Sequence, residues 1–239
     1  MSDLASAWEE HARAWIAWAR MPGHDSYWRF HRDAFLELLP PPGRRTLDLG
    51  CGEGRLARDL AAAGYRVAGV DASPTLVAAA READPGFDVQ MADAAALPFA
   101  DGAFDLVVAF MTLQDVGDLA GALRECARVL ESEGRVCLAI VHPLNSAGTF
   151  ARDGDDAPFV IEGSYVEESP YTDVVVRDGL EMTFASVHRP LETYAAALAD
   201  AGFLIERLRE SVVPEHALHG RRWLRIPLFL HLRALKPKP

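Results

Sequence analysis

The segment Thr46-Leu47-Asp48-Leu49-Gly50-Cys51-Gly52-Glu53-Gly54-Arg55 holds the densest set of residues suited to chemistry. A short apolar run enters three alternating glycines and then a helix-forming stretch. Glycines there let the backbone approach a ligand closely and adopt positive φ. The loop amides and the start of the following helix suit an anionic or polar group. The spacing is G-x-G-x-G, at 50, 52 and 54, rather than the G-x-G-x-x-G of nicotinamide-binding loops. A second apolar run ends at Val70-Asp71-Ala72-Ser73. A carboxylate about twenty residues past the glycine loop is placed to take two ribose hydroxyls. A third run ends at Met91-Ala92-Asp93-Ala94, where Asp93 either bonds an adenine amino group or caps a helix.

Two histidines are candidates for a general base, because imidazole titrates in the useful range. His142 directly follows an apolar strand, and His188 stands in Val187-His188-Arg189-Pro190. Each is either a base or a pocket-lining side chain bonded to backbone. Arg152, Arg177 and Arg189 either clamp an acidic substrate or are solvated. Asp153-Gly154-Asp155-Asp156 reads as an acidic loop in water, so no metal site is assigned. The first 28 residues hold Trp8, Trp15, Trp18 and Trp28, with Tyr27 beside them and Phe30 just beyond. Trp8 and Trp15 share a helical face and read as packing. Tyr27 and Trp28 either cover a ligand or pack on the sheet.

These residues sit on a regular alternation. Helical spacing covers 3–19, and a second helix runs from about Ser26 to Leu39. Strands are expected at Arg45–Leu49, Arg66–Val70, Phe87–Gln90, Phe104–Phe110 and Arg135–Val141. Helices fall between them over about 54–63, from Ser73-Pro74 to Glu82, and over Leu119–Leu130. Ser73-Pro74 is an N-cap followed by proline at the first helical position. Alternating β and α units imply a parallel sheet covered on both faces, with the ligand beyond the carboxyl ends of the strands. Two β-rich runs, near Ser164–Val166 and Val174–Val176, and a third over Leu180–Val187, read as an antiparallel flap. Helix Leu191–Ala201 and the segments Phe203–Ser211 and Leu224–Leu235 complete the sheet. The expected organisation is a single domain: a helical lid over 1–43, a ligand-binding core over 44–143, an inserted flap over 144–188, and completion of the sheet over 189–239.

The 239 residues carry 24 Lys+Arg against 35 Asp+Glu, a formal net charge of −11. That balance argues against nucleic acid, where basic residues must neutralise phosphates. Residues 221–239 are an exception, with six basic residues and no acidic one. The three cysteines Cys51, Cys126 and Cys137 are odd in number and widely spaced, as in a reducing compartment. No apolar run reads as a signal peptide or a membrane span. The expectation is a cytoplasmic protein with a small-molecule substrate and no membrane or nucleic-acid partner, as a monomer or homodimer.

The ordered motifs together resemble the class I S-adenosylmethionine-dependent methyltransferases, in the small-molecule branch that includes the ubiquinone-biosynthesis type. LDLGCGEGR resembles the family's first motif and GVDAS its second. ADAAALPFADGAFDLVVAF resembles the third and fourth, and RVLESEGRVCLAI the approach to the fifth strand. The resemblance covers roughly residues 44–142, and less specifically 188–239. It implies a Rossmann-like, doubly wound α/β sheet, mostly parallel with an antiparallel strand near the C-terminal edge. It implies S-adenosyl-L-methionine as cofactor, with Gly50, Cys51 and Gly52 along its methionine part and Asp48 supporting the ammonium. Asp71, with Ala72 beside it, would take the ribose diol. Asp93 and Ala94 would flank adenine. Phe110 would lie near the reactive sulfur, with Tyr27 at the sulfonium or the substrate. The family often has a histidine pair after strand four, whereas Met111-Thr112-Leu113-Gln114-Asp115-Val116 supplies Gln114 and Asp115. The activity implied is methyl transfer to an O or N of a small molecule. The alternatives are a methyltransferase-like protein that binds the cofactor without transfer, one recruited to another reaction, and an NAD-dependent oxidoreductase.

Overall fold

A computed structural model describes residues 3–211 and 221–238. Helix α1 (Asp3–Arg20) is followed by a single π turn at Tyr27–His31, in which the Arg32 amide donates to the Tyr27 carbonyl. The short α2 (Arg32–Leu36) continues it. The core then alternates as β1 (Thr46–Leu49), α3 (Arg55–Ala62), β2 (Val67–Asp71), α4 (Pro74–Ala83), β3 (Asp88–Met91) and β4 (Phe104–Phe110). It goes on through α5 (Leu119–Val129), β5 (Leu130–Val141) and α6 (Pro143–Ser146). Two hairpins follow, β6 (Gly148–Phe150) with β7 (Phe159–Ile161), and β8 (Ser169–Arg177) with β9 (Leu180–His188). Helix α7 (Leu191–Asp200), β10 (Leu204–Ser211) and β11 (Phe229–Leu235) close the fold. No described helix is long and apolar enough to cross a membrane.

Seven strands form one sheet in the order β10-β11-β5-β4-β1-β2-β3. The pairs from β5 to β3 are parallel, and β11 is antiparallel to both neighbours. Winding therefore reverses between β1 and β4, which opens a crevice at their carboxyl ends. Alternation along β1 sends Leu47 and Leu49 into a core with Val107, Leu123, Leu138 and Leu198. It turns Asp48 to the other face, where Phe35, Leu56, Leu60 and Val108 form a second core. A polar residue is thus set into a fully buried strand at the edge of the crevice.

Three sequence expectations shift. Ser164–Val166 is not a strand; the first flap hairpin is β6–β7 instead. The fifth strand begins at Leu130, five residues early, with Glu133 in the left-handed region. The last strand begins at Phe229, because Arg221–Leu224 forms a 3-10 turn. The lid and flap are packed together. Trp8 Nε1 donates to the Ala185 carbonyl at 3.1 Å. Trp8, Trp15 and Trp18 set their rings edge-on to Phe184, with centroids 6.0–6.3 Å away.

Candidate active site

A cavity of about 630 Å³ lies over the carboxyl ends of the strands, a size typical of small-molecule sites. Its floor is the glycine loop. Gly50, Gly52 and Gly54 have φ of 69°, 57° and 84°, which an L side chain adopts only with strain. The Gly50 and Cys51 amides donate to the Val70 carbonyl at 2.8 and 2.9 Å, tying the loop to β2. The two main glycines are needed for different reasons. A Cβ at Gly50 would meet Thr112 Cγ2 at 2.3 Å, and the Thr112 hydroxyl donates to the Leu49 carbonyl at 2.9 Å. A Cβ at Gly52 would lie 3.2 Å from Trp15 Nε1, on the lid side.

Asp71 organises the rim. Its Oδ2 accepts the Gly52 amide at 2.8 Å and its Oδ1 the Ser73 amide at 2.9 Å. The Ala72 amide also bonds to this carboxylate, which leaves it part of its acceptor capacity for a ligand. Burial raises this carboxyl above the usual range, and the amides of Ser73, Gly52 and Ala72 pull it back. The lid is fastened beside it: Glu9 accepts from the hydroxyls of Ser73 and Thr75 at the start of α4. Beneath the loop, buried Glu53 accepts from Arg58 Nη2 at 2.8 Å and from Arg20 Nε at 3.0 Å.

Asp48 is wholly buried in the cavity wall, and its Oδ2 has no partner. Burial, with the nearby charge of Asp71, pushes its carboxyl up to about 8. Burial and the neighbouring carboxylates also hold the Cys51 thiol far above its ordinary value, so it is a neutral lining group. Among the described residues, side-chain polar atoms that are buried without a partner occur at His24, His31, Asp48, Gln114, Arg222 and His231. Three of these residues, Asp48, Gln114 and His31, line this one cavity. An unsatisfied buried polar group costs free energy, and here a ligand would supply the missing partners.

All ten residues that the sequence assigns to cofactor binding line the cavity: Tyr27, Asp48, Gly50, Cys51, Gly52, Asp71, Ala72, Asp93, Ala94 and Phe110. Asp93 is also a local cap, since its Oδ1 accepts the Ala95 amide at 2.9 Å. The Tyr27 ring stands edge-on to Phe110 with centroids 5.4 Å apart, while its hydroxyl is spent on Asp59 at 2.6 Å. Trp28 is exposed and does not line the cavity.

The expectation for the two histidines is corrected. Neither His142 nor His188 lines the cavity. His142 caps α6: its Nδ1 accepts the Leu144 amide at 3.0 Å, which leaves Nε2 to donate to Glu210 at 2.9 Å. His188 Nε2 donates to the Tyr165 carbonyl at 2.9 Å, and Nδ1 takes the Ser146 hydroxyl at 2.7 Å. All four ring nitrogens are engaged away from the site. Arg189 is structural too, donating to the carbonyls of Leu113 and Val116 at 3.1 and 2.7 Å. The acidic loop is paired with arginine, Arg152 holding Asp156 and Arg222 holding Asp153.

The sequence reading missed other lining groups. Asp115 accepts Ser186 Oγ at 2.6 Å and Gln114 Nε2 at 3.2 Å, which latches the β8–β9 hairpin to the loop after β4. Burial still holds its carboxyl well above the ordinary range. Met111 precedes this pair with φ 57°. A non-glycine residue in that region marks a backbone constrained by its surroundings. His31, on the π turn, also lines the cavity.

Residues 47–138 match the family described as "Methyltransferase domain". The chain is 38% identical over 112 residues to a probable S-adenosylmethionine-dependent methyltransferase of Mycobacterium tuberculosis, covering 46% of this chain and 41% of that one. It is 38% identical over 117 residues to a demethylmenaquinone methyltransferase of Beutenbergia cavernae, covering 49% and 48%. The chain thus spans less than half the length of these curated relatives. A crystal structure of an S-adenosylmethionine-dependent methyltransferase from Mesorhizobium loti superposes with a TM-score of 0.72 at 28% identity, over 88% of this chain and 98% of that one.

Proposed function

We propose, on the premise that residues 47–138 belong to the methyltransferase domain family of class I S-adenosylmethionine-dependent enzymes, that this chain binds that cofactor and methylates an O or N of a small molecule. The observation that carries the reading is the unpartnered, buried Asp48 carboxyl beside the glycine loop. It asks for a cation, and the amino acid part of the cofactor supplies an ammonium. Asp71, set at the rim by the Gly52 and Ser73 amides, would take the ribose diol. Asp93 and Ala94 would border adenine, and Phe110 and Tyr27 would wall the end that holds the sulfur. When bound, the cofactor supplies a methyl group already activated on a sulfonium. The chain's task is then to align the acceptor and exclude water. The lid of α1 and the β8–β9 hairpin cover the cavity, which favours a small acceptor over a macromolecule. The name of the Beutenbergia relative supports the same class.

The test is titration with S-adenosylmethionine, followed by incubation of candidate acceptors with the methyl-labelled cofactor and product analysis. Saturable binding with label in a product supports the reading. Binding without transfer to any acceptor favours the methyltransferase-like alternative, and absence of binding overturns both. A first variant follows from the loop. Gly52→Ala puts a Cβ against Trp15 at φ +57°, a conformation costing about 1–2 kcal/mol. Cofactor affinity is expected to fall about tenfold, with the circular dichroism of the fold retained. Calorimetric titration checks it.

A further inference from the structure

The end of the cavity farthest in sequence from the glycine loop is built by four elements that meet at the tops of β4, β5 and β11. Phe110 closes β4, and Val141 closes β5 and pairs with Phe229 at the start of β11. The π turn lays His31 across them. The His31 ring is stacked on Phe229 with centroids 3.8 Å apart and planes 11° apart. Its centroid lies 4.5 Å from that of Phe110 and 4.8 Å from that of His231, whose ring is stacked on it and nearly parallel. The ring is fixed on its faces, while its Nε2 has no partner. His31 lines the cavity and is wholly buried, as are Phe110, Val141 and Phe229 in larger part. Arg29, Arg55 and Arg177 also line the cavity, and Arg55 Nη1 is 2.8 Å from Asp25 Oδ2. His231 also has an unpartnered Nε2, but it does not line the cavity.

We propose that His31 holds the acceptor, and that the acceptor is an aromatic molecule whose hydroxyl meets His31 Nε2. This rests on the methyltransferase reading and names the substrate class for that site. The walls are aromatic and apolar, which suits a planar ring. The unmet nitrogen of His31 calls for one hydrogen bond. A hydroxyl donates to an Nε2 that carries no proton, which an ether cannot do. Burial and the nearby His231 and Arg55 hold the imidazole well below its usual range, so it is neutral at physiological pH. A π turn fits this role, since such single-turn insertions often occur at functional sites.

The probes are naphthol, its methyl ether and naphthalene, titrated into the full chain with and without S-adenosylhomocysteine. The wild type is expected to bind naphthol about tenfold more tightly than the ether, the factor carried by one ordinary hydrogen bond. In His31→Phe, which keeps a ring on Phe229, that preference is expected to fall to within twofold. Affinity for naphthalene should hold, and S-adenosylhomocysteine should bind within twofold of wild type. A merely structural role for His31 would not move the naphthol-to-ether ratio. Should the variant not fold, ring nitrogen NMR of the wild type decides: naphthol must shift His31 Nε2, and the ether must shift it less. Equal affinity of wild type for naphthol and ether, a preference that persists in the variant, or an unmoved Nε2 resonance would each overturn the proposal. Loss of S-adenosylhomocysteine binding with the naphthol preference intact would remove the methyltransferase reading and leave this ligand site standing.

Discussion

Asp71→Asn is expected to weaken S-adenosylmethionine by about 10²–10⁴-fold while leaving the far-ultraviolet circular dichroism unchanged. Two charge-assisted hydrogen bonds to the ribose, each worth about 1.5–3 kcal/mol, give that range. The amide compounds the loss. Asp71 accepts backbone N–H groups on both oxygens, from Gly52 and from Ser73. An asparagine side chain in its place would set an NH₂ against one of them. The loop itself should survive, because the Gly50 and Cys51 amides bond independently to Val70. Affinity should also decline with falling pH through a window above the ordinary aspartate range, since burial raises this carboxyl and the ribose needs it ionised. Calorimetry with cofactor and its demethylated product measures both effects. An affinity within threefold of wild type would remove Asp71 from the ribose.

What could be read from the chain divides by the range of the interaction. The glycine loop, Asp71 and Asp93 were legible because each answers a local demand: a positive φ, or a strand that ends at the ligand edge. Asp48 was placed by resemblance, and its unpartnered oxygen belongs only to the folded chain. His142 was misread although the clue was present. A residue before a proline that opens a helix is an N-cap position, and His142 precedes Pro143 and accepts the Leu144 amide. His31 had no such signal. Its π turn breaks helical spacing, and its stacking partners Phe229 and His231 lie some two hundred residues away. The flap hairpins were hard to bound for a related reason. The β8–β9 hairpin packs against α1 through Trp8, Trp15 and Phe184, and β8 turns Val174 and Val176 to solvent.

Asp48 gives the second large effect, and its signature is a proton. In the ligand-free chain burial and the charge of Asp71 push its carboxyl up to about 8, so near neutral pH it holds its proton. An ammonium against Oδ2 favours the charged form, and binding must then expel a proton. Titrations in buffers of differing ionisation enthalpy should show close to one proton released per cofactor at pH 7. Asp48→Asn abolishes this release and weakens binding by about 10²–10³-fold, the scale for breaking a buried ion pair. The same shift fixes a sign for stability. A group whose folded value is raised from 3.8 to about 8 contributes fully below the unfolded value, and that contribution is lost as pH rises through the folded one. The ligand-free Asp48→Asn variant escapes this loss. Its melting temperature relative to wild type should therefore improve between pH 5 and pH 9, even as it loses the cofactor. Proton release that persists in the variant, or a stability difference that does not change with pH, would show that the charge of Asp48 is not what the cofactor's ammonium meets.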